Sequence, residues 1–341
     1  MPVRVAVNGF GTIGKRVADA VAKQPDMQLV GVAKTRPSFE ARLAAEKGYT
    51  LFVGGDGRTE DFRAAGLAVE GTTDEMFKRA DVVVDATPDK VGREHSAKYA
   101  AANLKAIYQG GEKPDVAELS FSALANYDAA KGKSRVRVVS CNTTGIVRAA
   151  SVLRARYGVE WWDATLIRRA ADPTENKKGP VNAILPTFQF PSHHAPDAQT
   201  IFPDLPITTM ALVVPTTLMH VHVNHVRLRK PPASTADVVA AFRETPRFQV
   251  FRSWEHVEGT PQVLEYARDH ASPRGDMMAN VVWEDGVHLE GADLHFFQAI
   301  HQESIVVPEN IDAIRAMFNL APNANASIAV TDMTLGLRAK T

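Results

Sequence analysis

The chain keeps one cysteine, Cys141, in the run "RVVSCNTTGIVRAA" between a strand-like apolar stretch and a helix start. A lone cysteine is ordinarily a small, inert hydrophobe. Here Asn142, Thr143 and Thr144 follow it, all residues that cap or open helices. "TGIVRAASVLRARYG" then sets Ile146, Ala150, Leu153 and Tyr157 on one stripe before Gly158 ends it. The thiol is thus expected at, or one residue before, a helix N-terminus, where the dipole and free N–H groups lower its pKa. That is a setting for nucleophilic chemistry.

A nucleophilic thiol needs a base and a polar site for a developing oxyanion. Eleven histidines compete for the first role. His193 and His194 stand in "FPSHHAPD", a proline-bounded polar loop suited to an anion. "HVHVNH" alternates, so His220 and His222 share one strand face, and spacing alone leaves either as the base. A base titrating near neutrality is what the chemistry requires. The His-x-His pair also suits a metal, but no third ligand follows at a diagnostic spacing, and no metal is expected. Arg168 and Arg169 in "LIRRAADP" offer guanidinium forks for phosphate, and Thr143 and Thr144 add hydroxyls. Lys177 and Lys178 in "ENKKGP" read as a solvated loop.

The second chemical signal is "NGFGTIG", a G-x-G-x-x-G between the apolar run Val3–Val7 and a helical pattern with Ile13, Val17, Ala20 and Val21 on one face. Gly9 permits the tight turn, Gly11 lets backbone approach a pyrophosphate, and Gly14 allows close helix–strand packing. The helix N-terminus near Thr12 and Ile13 supplies N–H groups for the phosphates. At the end of the next strand, where a carboxylate would hold a free ribose, the sequence is Ala33-Lys34-Thr35-Arg36. Two cations around a hydroxyl point to a site that accepts NADP, alongside NAD.

These residues need a frame. "ADVVVDATPDKVG", "LKAIYQGG" with Gly110-Gly111 at its end, and "RVRVVSCNTTG" add strands alternating with helices, the mark of a doubly wound parallel sheet with ligands at its carboxyl edge. Further on, "ATLIRRA", "TTMALVVPTT" and "MHVHVNHVRLRK" are strands joined by Pro-rich loops, suiting an α+β catalytic domain on a mainly antiparallel sheet. "SIVVPENIDAIRAMFNL" reads as a helix with Pro308 at its start and Ile311, Ile314 and Phe318 on one face. The expected fold is an α/β Rossmann dinucleotide-binding domain over 1–140, an α+β catalytic domain over 141–301 and a C-terminal segment over 302–341. A chain of 341 residues exceeds one ordinary core.

Composition narrows the partners. Lys+Arg and Asp+Glu both number 39, so nothing indicates nucleic acid. One cysteine rules out an internal disulfide and fits a reducing cytoplasm. "MPVRVAVNGF" reads as a strand that begins almost at once, without a charged and apolar leader, and no apolar run reaches membrane-spanning length. A thiol next to a nicotinamide suggests attack on an aldehyde, hydride loss and a thioester left on the enzyme.

"NGFGTIGKRV", "YQGGEK", "SCNTTG", "RRAADP", "KKGPVNA", "PSHHAPD", "TTLMH" and "QESIVVPEN" occur in that order, and the chain resembles the archaeal-type (type II) phosphorylating glyceraldehyde-3-phosphate dehydrogenases from residue 8 to about 310. The resemblance implies Cys141 as nucleophile with Ser140, Asn142 and Thr143 beside the substrate, and favours His220 over His222 as base. It implies Thr12 and Ile13 against the cofactor phosphates, Lys34 and Thr35 near the adenosine ribose, and Gly111, Arg169 and Gln302 as further cofactor contacts. His193, His194 and Ala195 would line the substrate or phosphate pocket. Ala195 departs from the family's usual glycine, a change expected to narrow the pocket or alter the turn. The resemblance further implies glyceraldehyde 3-phosphate and inorganic phosphate as partners, a place in glycolysis or gluconeogenesis, a homotetramer, and a C-terminal region that packs back on the first domain. Other readings of the same residues are a different cysteine-dependent semialdehyde dehydrogenase, a non-phosphorylating variant, and a non-catalytic NADP-binding redox sensor.

Overall fold

Alternating apolar runs and helical stretches build the first sheet. The structure, a computed structural model, describes residues 1–109, 111–171, 179–272 and 274–337. Gly110, Asp172, Pro173, Lys177 and Lys178, singled out above, lie outside the described residues. Two compact units emerge: residues 1–140 with 307–336, and residues 141–306.

The first unit begins β1 (Val3–Asn8), α1 (Gly14–Ala22), β2 (Met27–Lys34), α2 (Phe39–Glu46), β3 (Leu51–Val53), α3 (Thr59–Ala64), β4 (Gly71–Thr72) and α4 (Thr73–Phe77). It continues with β5 (Val82–Asp85), α5 (Val91–Ala101), β6 (Lys105–Tyr108), β7 (Leu119–Phe121), α6 (Ala123–Asn126) and β8 (Arg135–Val138). The strands pair in the order β4-β3-β2-β1-β5-β6-β8-β7, every pairing parallel. Val82, Val83 and Val84 are fully buried, as a strand covered on both faces must be. The order reverses between β1 and β5, where Asn8 pairs with Asp85. In such sheets ligands bind at the carboxyl ends beside that reversal.

The second unit opens on α7 (Cys141–Arg156) and β9 (Val159–Arg169), followed by β10 (Leu185–Pro186), α8 (His194–Gln199), β11 (Ile207–Val214), β12 (His220–Leu228), α9 (Thr235–Glu244) and β13 (Phe248–Phe251). α10 (Thr260–Asp269), β14 (Asn280–Glu290) and β15 (Asp293–Ile300) complete it. The strand order is β10-β11-β9-β12-β15-β14-β13, with β11·β9 and β13·β14 parallel and the other four pairings antiparallel. β12 alternates buried with exposed or half-buried positions along its length, so His220 and His222 both face inward.

The chain then returns to the first unit as α11 (Val307–Met317) and α12 (Ala324–Leu335). Arg315, buried in α11, reaches Asp26 at 2.8 and 2.9 Å, Gln24 at 2.6 Å and Thr331 at 2.5 Å. The Lys105 ammonium donates to the Met317 carbonyl at 2.5 Å. Among the described residues no helix is long and apolar enough to cross a membrane.

Candidate active site

In the first unit the glycine turn is built by exclusion. Gly9 takes φ +100°, and a Cβ there would stand 2.7 Å from the Ala86 carbonyl oxygen. A Cβ on Gly14 would overlap the carbonyl oxygen of Gly9. At Gly11, between them, a Cβ would meet nothing within 4 Å. The turn is therefore sealed where it packs and open where a pyrophosphate would lie, and these residues fit a dinucleotide. Thr12 and Ile13 lead into α1, whose first N–H groups begin there. Gly111, φ +84°, also faces open space.

Lys34 ends β2, and sequence reasoning missed what it meets. Its ammonium stands 3.6 Å from Glu40 in the first turn of α2. Burial alone would raise the Glu40 carboxyl, but the Ser38 hydroxyl (2.7 Å), Lys34 and Lys15 outweigh it and hold the group below the usual carboxylate range. The cation near the expected ribose position thus has a carboxylate beside it. Thr35 follows, its side chain against Gly55.

In the second unit Cys141 is the first residue of α7, preceded by Ser140 at the end of the first unit. The sequence expectation of a depressed thiol pKa is corrected. The residue as a whole is half-buried, and burial of its thiol dominates and pushes it up to about 11. Arg169, the Asn142 N–H and Arg168 oppose that rise in part, while Glu303 adds to it. The thiol is protonated in the resting enzyme.

His220 is corrected in the same way. It is expected near neutrality, but burial first, then Arg169, His222 and Arg168, push it well below the ordinary imidazole value, with only Gln302 opposing. Its Nδ1 accepts the Arg169 backbone N–H at 3.0 Å, so the neutral ring carries its proton on Nε2, toward the Gln302 side chain. The Arg169 guanidinium is buried against Glu303 at 3.1 Å and also donates to the Ala171 carbonyl. Glu303 in turn meets His301 Nε2 at 3.1 Å.

His194 is pushed down to about 2 by burial, then by His193, Arg168, His222 and His220. His193, its ring 3.9 Å from that of His194, is lowered too, by burial and Arg168 against Asp197. Neither histidine brings positive charge to an anion near neutral pH. Arg168 does, and its buried Nε has no hydrogen-bond partner among the described residues. Thr143, expected to offer its hydroxyl to an anion, donates instead to Asp197 at 2.6 Å. Ala195 is the second residue of α8, outside the positive-φ positions, and its N–H donates to Thr209 Oγ1 at 3.2 Å, so alanine fits this turn without strain. Its side chain is buried.

Asn142, His194 and His222 come together. His222 Nε2 lies 2.8 Å from Asn142 Oδ1, and Asn142 Nδ2 lies 3.5 Å from His194 Nε2. Asn280, Gln298, Ser192 and Thr209 extend this buried group, and none was singled out from sequence. For Asn280, Gln298 and Thr209 the signal was present as polar residues at inward positions of β14, β15 and β11; Ser192 lies in the loop before α8 and had none. Among the described residues no group of three histidine, cysteine or acidic side chains is placed to hold a metal.

Residues 140–283 match the family described as "Glyceraldehyde 3-phosphate dehydrogenase, C-terminal domain", and residues 3–111 match "Dihydrodipicolinate reductase, N-terminus". Curated relatives named glyceraldehyde-3-phosphate dehydrogenase include one from Hyperthermus butylicus, 51% identical over 98% of this chain and 97% of the relative. One from Archaeoglobus fulgidus is 51% identical over 99% and 98%, and one from Halobacterium salinarum 49% identical over 98% and 100%. Among solved structures, aspartate semialdehyde dehydrogenase II from Vibrio cholerae shares the fold, with a TM-score of 0.64 at 13% identity over 93% of this chain and 97% of that one. With its NAD(P)-binding Rossmann-type unit and its mixed-sheet second unit, the chain belongs to the glyceraldehyde-3-phosphate dehydrogenase family, among archaeal relatives.

Proposed function

We propose that the protein reversibly oxidises and phosphorylates D-glyceraldehyde 3-phosphate to 1,3-bisphosphoglycerate with NADP or NAD, through a thiohemiacetal and then a thioacyl-enzyme on Cys141. The observation that carries this is the single thiol at the start of α7, in the field of Arg168 and of Arg169, whose backbone N–H binds the neutral, buried His220.

Thiol and imidazole are both neutral at rest, so the proton moves during attack rather than before it. Cys141 Sγ bonds to the aldehyde carbon, and His220 takes the thiol proton at Nδ1 in exchange for the Arg169 N–H. Arg169 and Arg168 stabilise negative charge as it develops. When bound, the nicotinamide supplies the hydride acceptor. Loss of the hydride leaves a thioester on Cys141. Phosphate adds to its carbonyl, the C–S bond breaks, and Cys141 recovers its proton from His220. The Nε of Arg168, without a hydrogen-bond partner among the described residues, supports a phosphate subsite here, with His193, His194 and Ala195 as its apolar and neutral wall. Ser140 and Asn142 flank the thiol on the substrate side.

In the first unit Gly9, Gly11, Thr12, Ile13 and Gly14 would hold the pyrophosphate, with Lys34 and Thr35 at the adenosine ribose and Gly111, Arg169 and Gln302 as further contacts. Lys34 beside Glu40 offers a cation for a 2′-phosphate and an acceptor for a 2′-hydroxyl, which fits either cofactor. We place the enzyme in cytoplasmic glycolysis or gluconeogenesis. Its assembly is a homotetramer using the outer face of the second sheet, where Met210, Val223 and Phe297 are 58%, 36% and 41% exposed.

The test follows cofactor reduction with glyceraldehyde 3-phosphate, with and without inorganic phosphate, for wild type and Cys141→Ser. Sustained turnover that needs phosphate and vanishes in Cys141→Ser is expected. Turnover indifferent to phosphate, or surviving the substitution, would overturn the proposal.

A further inference from the structure

Behind the thiol runs a chain of buried polar side chains whose hydrogen bonds all point one way. Asn280 Nδ2 donates to Gln298 Oε1 at 3.0 Å and to the Gly145 carbonyl in α7 at 2.9 Å. Gln298 Nε2 lies 3.0 Å from His222 Nδ1, across the β12–β15 register. An amide nitrogen can only donate, so Nδ1 accepts and the His222 proton sits on Nε2. That proton goes to Asn142 Oδ1 at 2.8 Å, an oxygen that can only accept. Asn142 Nδ2 then faces His194 Nε2 at 3.5 Å, and His194 Nδ1 donates to Ser192 Oγ at 3.0 Å. Ser192 Oγ stands 2.7 Å from Thr209 Oγ1, which donates to the Ser192 carbonyl at 3.1 Å. Every member is buried. The two imidazoles therefore have one tautomer each, and every amide has one orientation.

We propose, on the reading of Cys141 given above, that His222 is the positioning residue of this site: its Nε2–H fixes the side-chain amide of Asn142, beside the thiol, and through it the accepting edge of His194. Asn142 is the hinge of the arrangement. Its backbone N–H serves the Cys141 sulfur, while its side chain is held between β12 and α8. Without the His222 donor the amide can turn over, presenting oxygen where nitrogen stood, and His194 loses the partner of its Nε2. Both ring nitrogens of His222 are committed, Nδ1 to Gln298 and Nε2 to Asn142, and burial holds the ring neutral down to about pH 3. Glutamine at 222 can restore the order, accepting from Gln298 and donating to Asn142; phenylalanine cannot.

The test is a kinetic cycle of His222→Phe, His222→Gln, Asn142→Ala and His222→Phe/Asn142→Ala in the full-length enzyme. It is read as KM for glyceraldehyde 3-phosphate, kcat and the pH profile, with solid-state 15N NMR of histidine-labelled protein. We expect His222→Phe to lower kcat/KM by about tenfold or more, mainly through KM. His222→Gln should recover most of it. The double variant should be no worse than the worse single, the non-additivity of residues that act as one unit. The acid limb of kcat/KM should stay where wild type has it. The His222 signal should be a pure Nε2–H tautomer, unchanged between pH 5 and 9 and shifted in Asn142→Ala. Additive losses, loss of the acid limb in His222→Gln, or a His222 signal that titrates or ignores Asn142→Ala would overturn the proposal. The NMR arm needs no turnover. A protein inactive on glyceraldehyde 3-phosphate that still showed the fixed, Asn142-coupled tautomer would therefore sink the reaction assigned above and leave the His222–Asn142 linkage standing.

Discussion

Cys141 and His220 are both neutral near pH 7, and that sets their pH behaviour. The thiol, pushed up to about 11, is thiolate only as a small fraction near neutrality. That fraction grows about tenfold per pH unit below the pKa. Alkylation of Cys141 by iodoacetamide in the cofactor-free enzyme should accordingly climb steadily through pH 7–10. A plateau already reached by pH 7 would instead mean a preformed thiolate–imidazolium pair. His220, lowered by burial and Arg169, loses its charge well below the ordinary imidazole pH, so an acid limb of kcat/KM owing to it should lie far below that value. The thiol's place at a helix start was legible in "SCNTTG" because capping residues announce a helix N-terminus. Its pKa was not, because the burial that raises it, and the Arg168, Arg169 and Glu303 charges around it, are set by the fold and not by the neighbouring sequence. For the same reason the Glu303 partner of Arg169 and the Asp197 partner of Thr143 left no local trace.

The glycine turn between β1 and α1 separates packing from binding within one element. Gly11→Ala should leave stability within about 0.5 kcal/mol, since its Cβ meets no protein atom, yet weaken NADP and NAD binding by about tenfold or more. Gly14→Ala drives a methyl into the Gly9 carbonyl and should cost about 1–3 kcal/mol in urea unfolding, along with cofactor binding. Equal binding losses with equal destabilisation in both would contradict this division. Strand and helix types were legible here because buried valine runs and a 3.6-residue stripe have few alternatives. β12 was legible for the same reason, its alternation placing His220 and His222 on one face. Which of its inward polar residues meet across strands depends on register with β9 and β15, and register is a tertiary outcome.

At the scale of the molecule, Arg315 binds partners 289 residues away in sequence, so the stripe of Ile311 and Ile314 could announce a helix but not where it would pack. Arg315→Leu removes a buried guanidinium from half-exposed Asp26 and from buried Gln24 and Thr331, and should destabilise the first unit by about 1–3 kcal/mol, read as a lowered urea midpoint. The exposed apolar residues of the second sheet carry the proposed assembly. Val223→Glu with Phe297→Glu should shift the protein to smaller species in light scattering, and an unchanged mass would remove that face from the interface. The central claim, that Cys141 carries the acyl group between oxidation and phosphorylation, is tested most directly by intact-mass and peptide analysis after one turnover. The enzyme is mixed with glyceraldehyde 3-phosphate and NADP in the absence of phosphate. The account predicts one phosphoglyceroyl group per chain on the peptide that holds Cys141, discharged as soon as phosphate is added. Reduced cofactor without that adduct, or an adduct on any other residue, would contradict it.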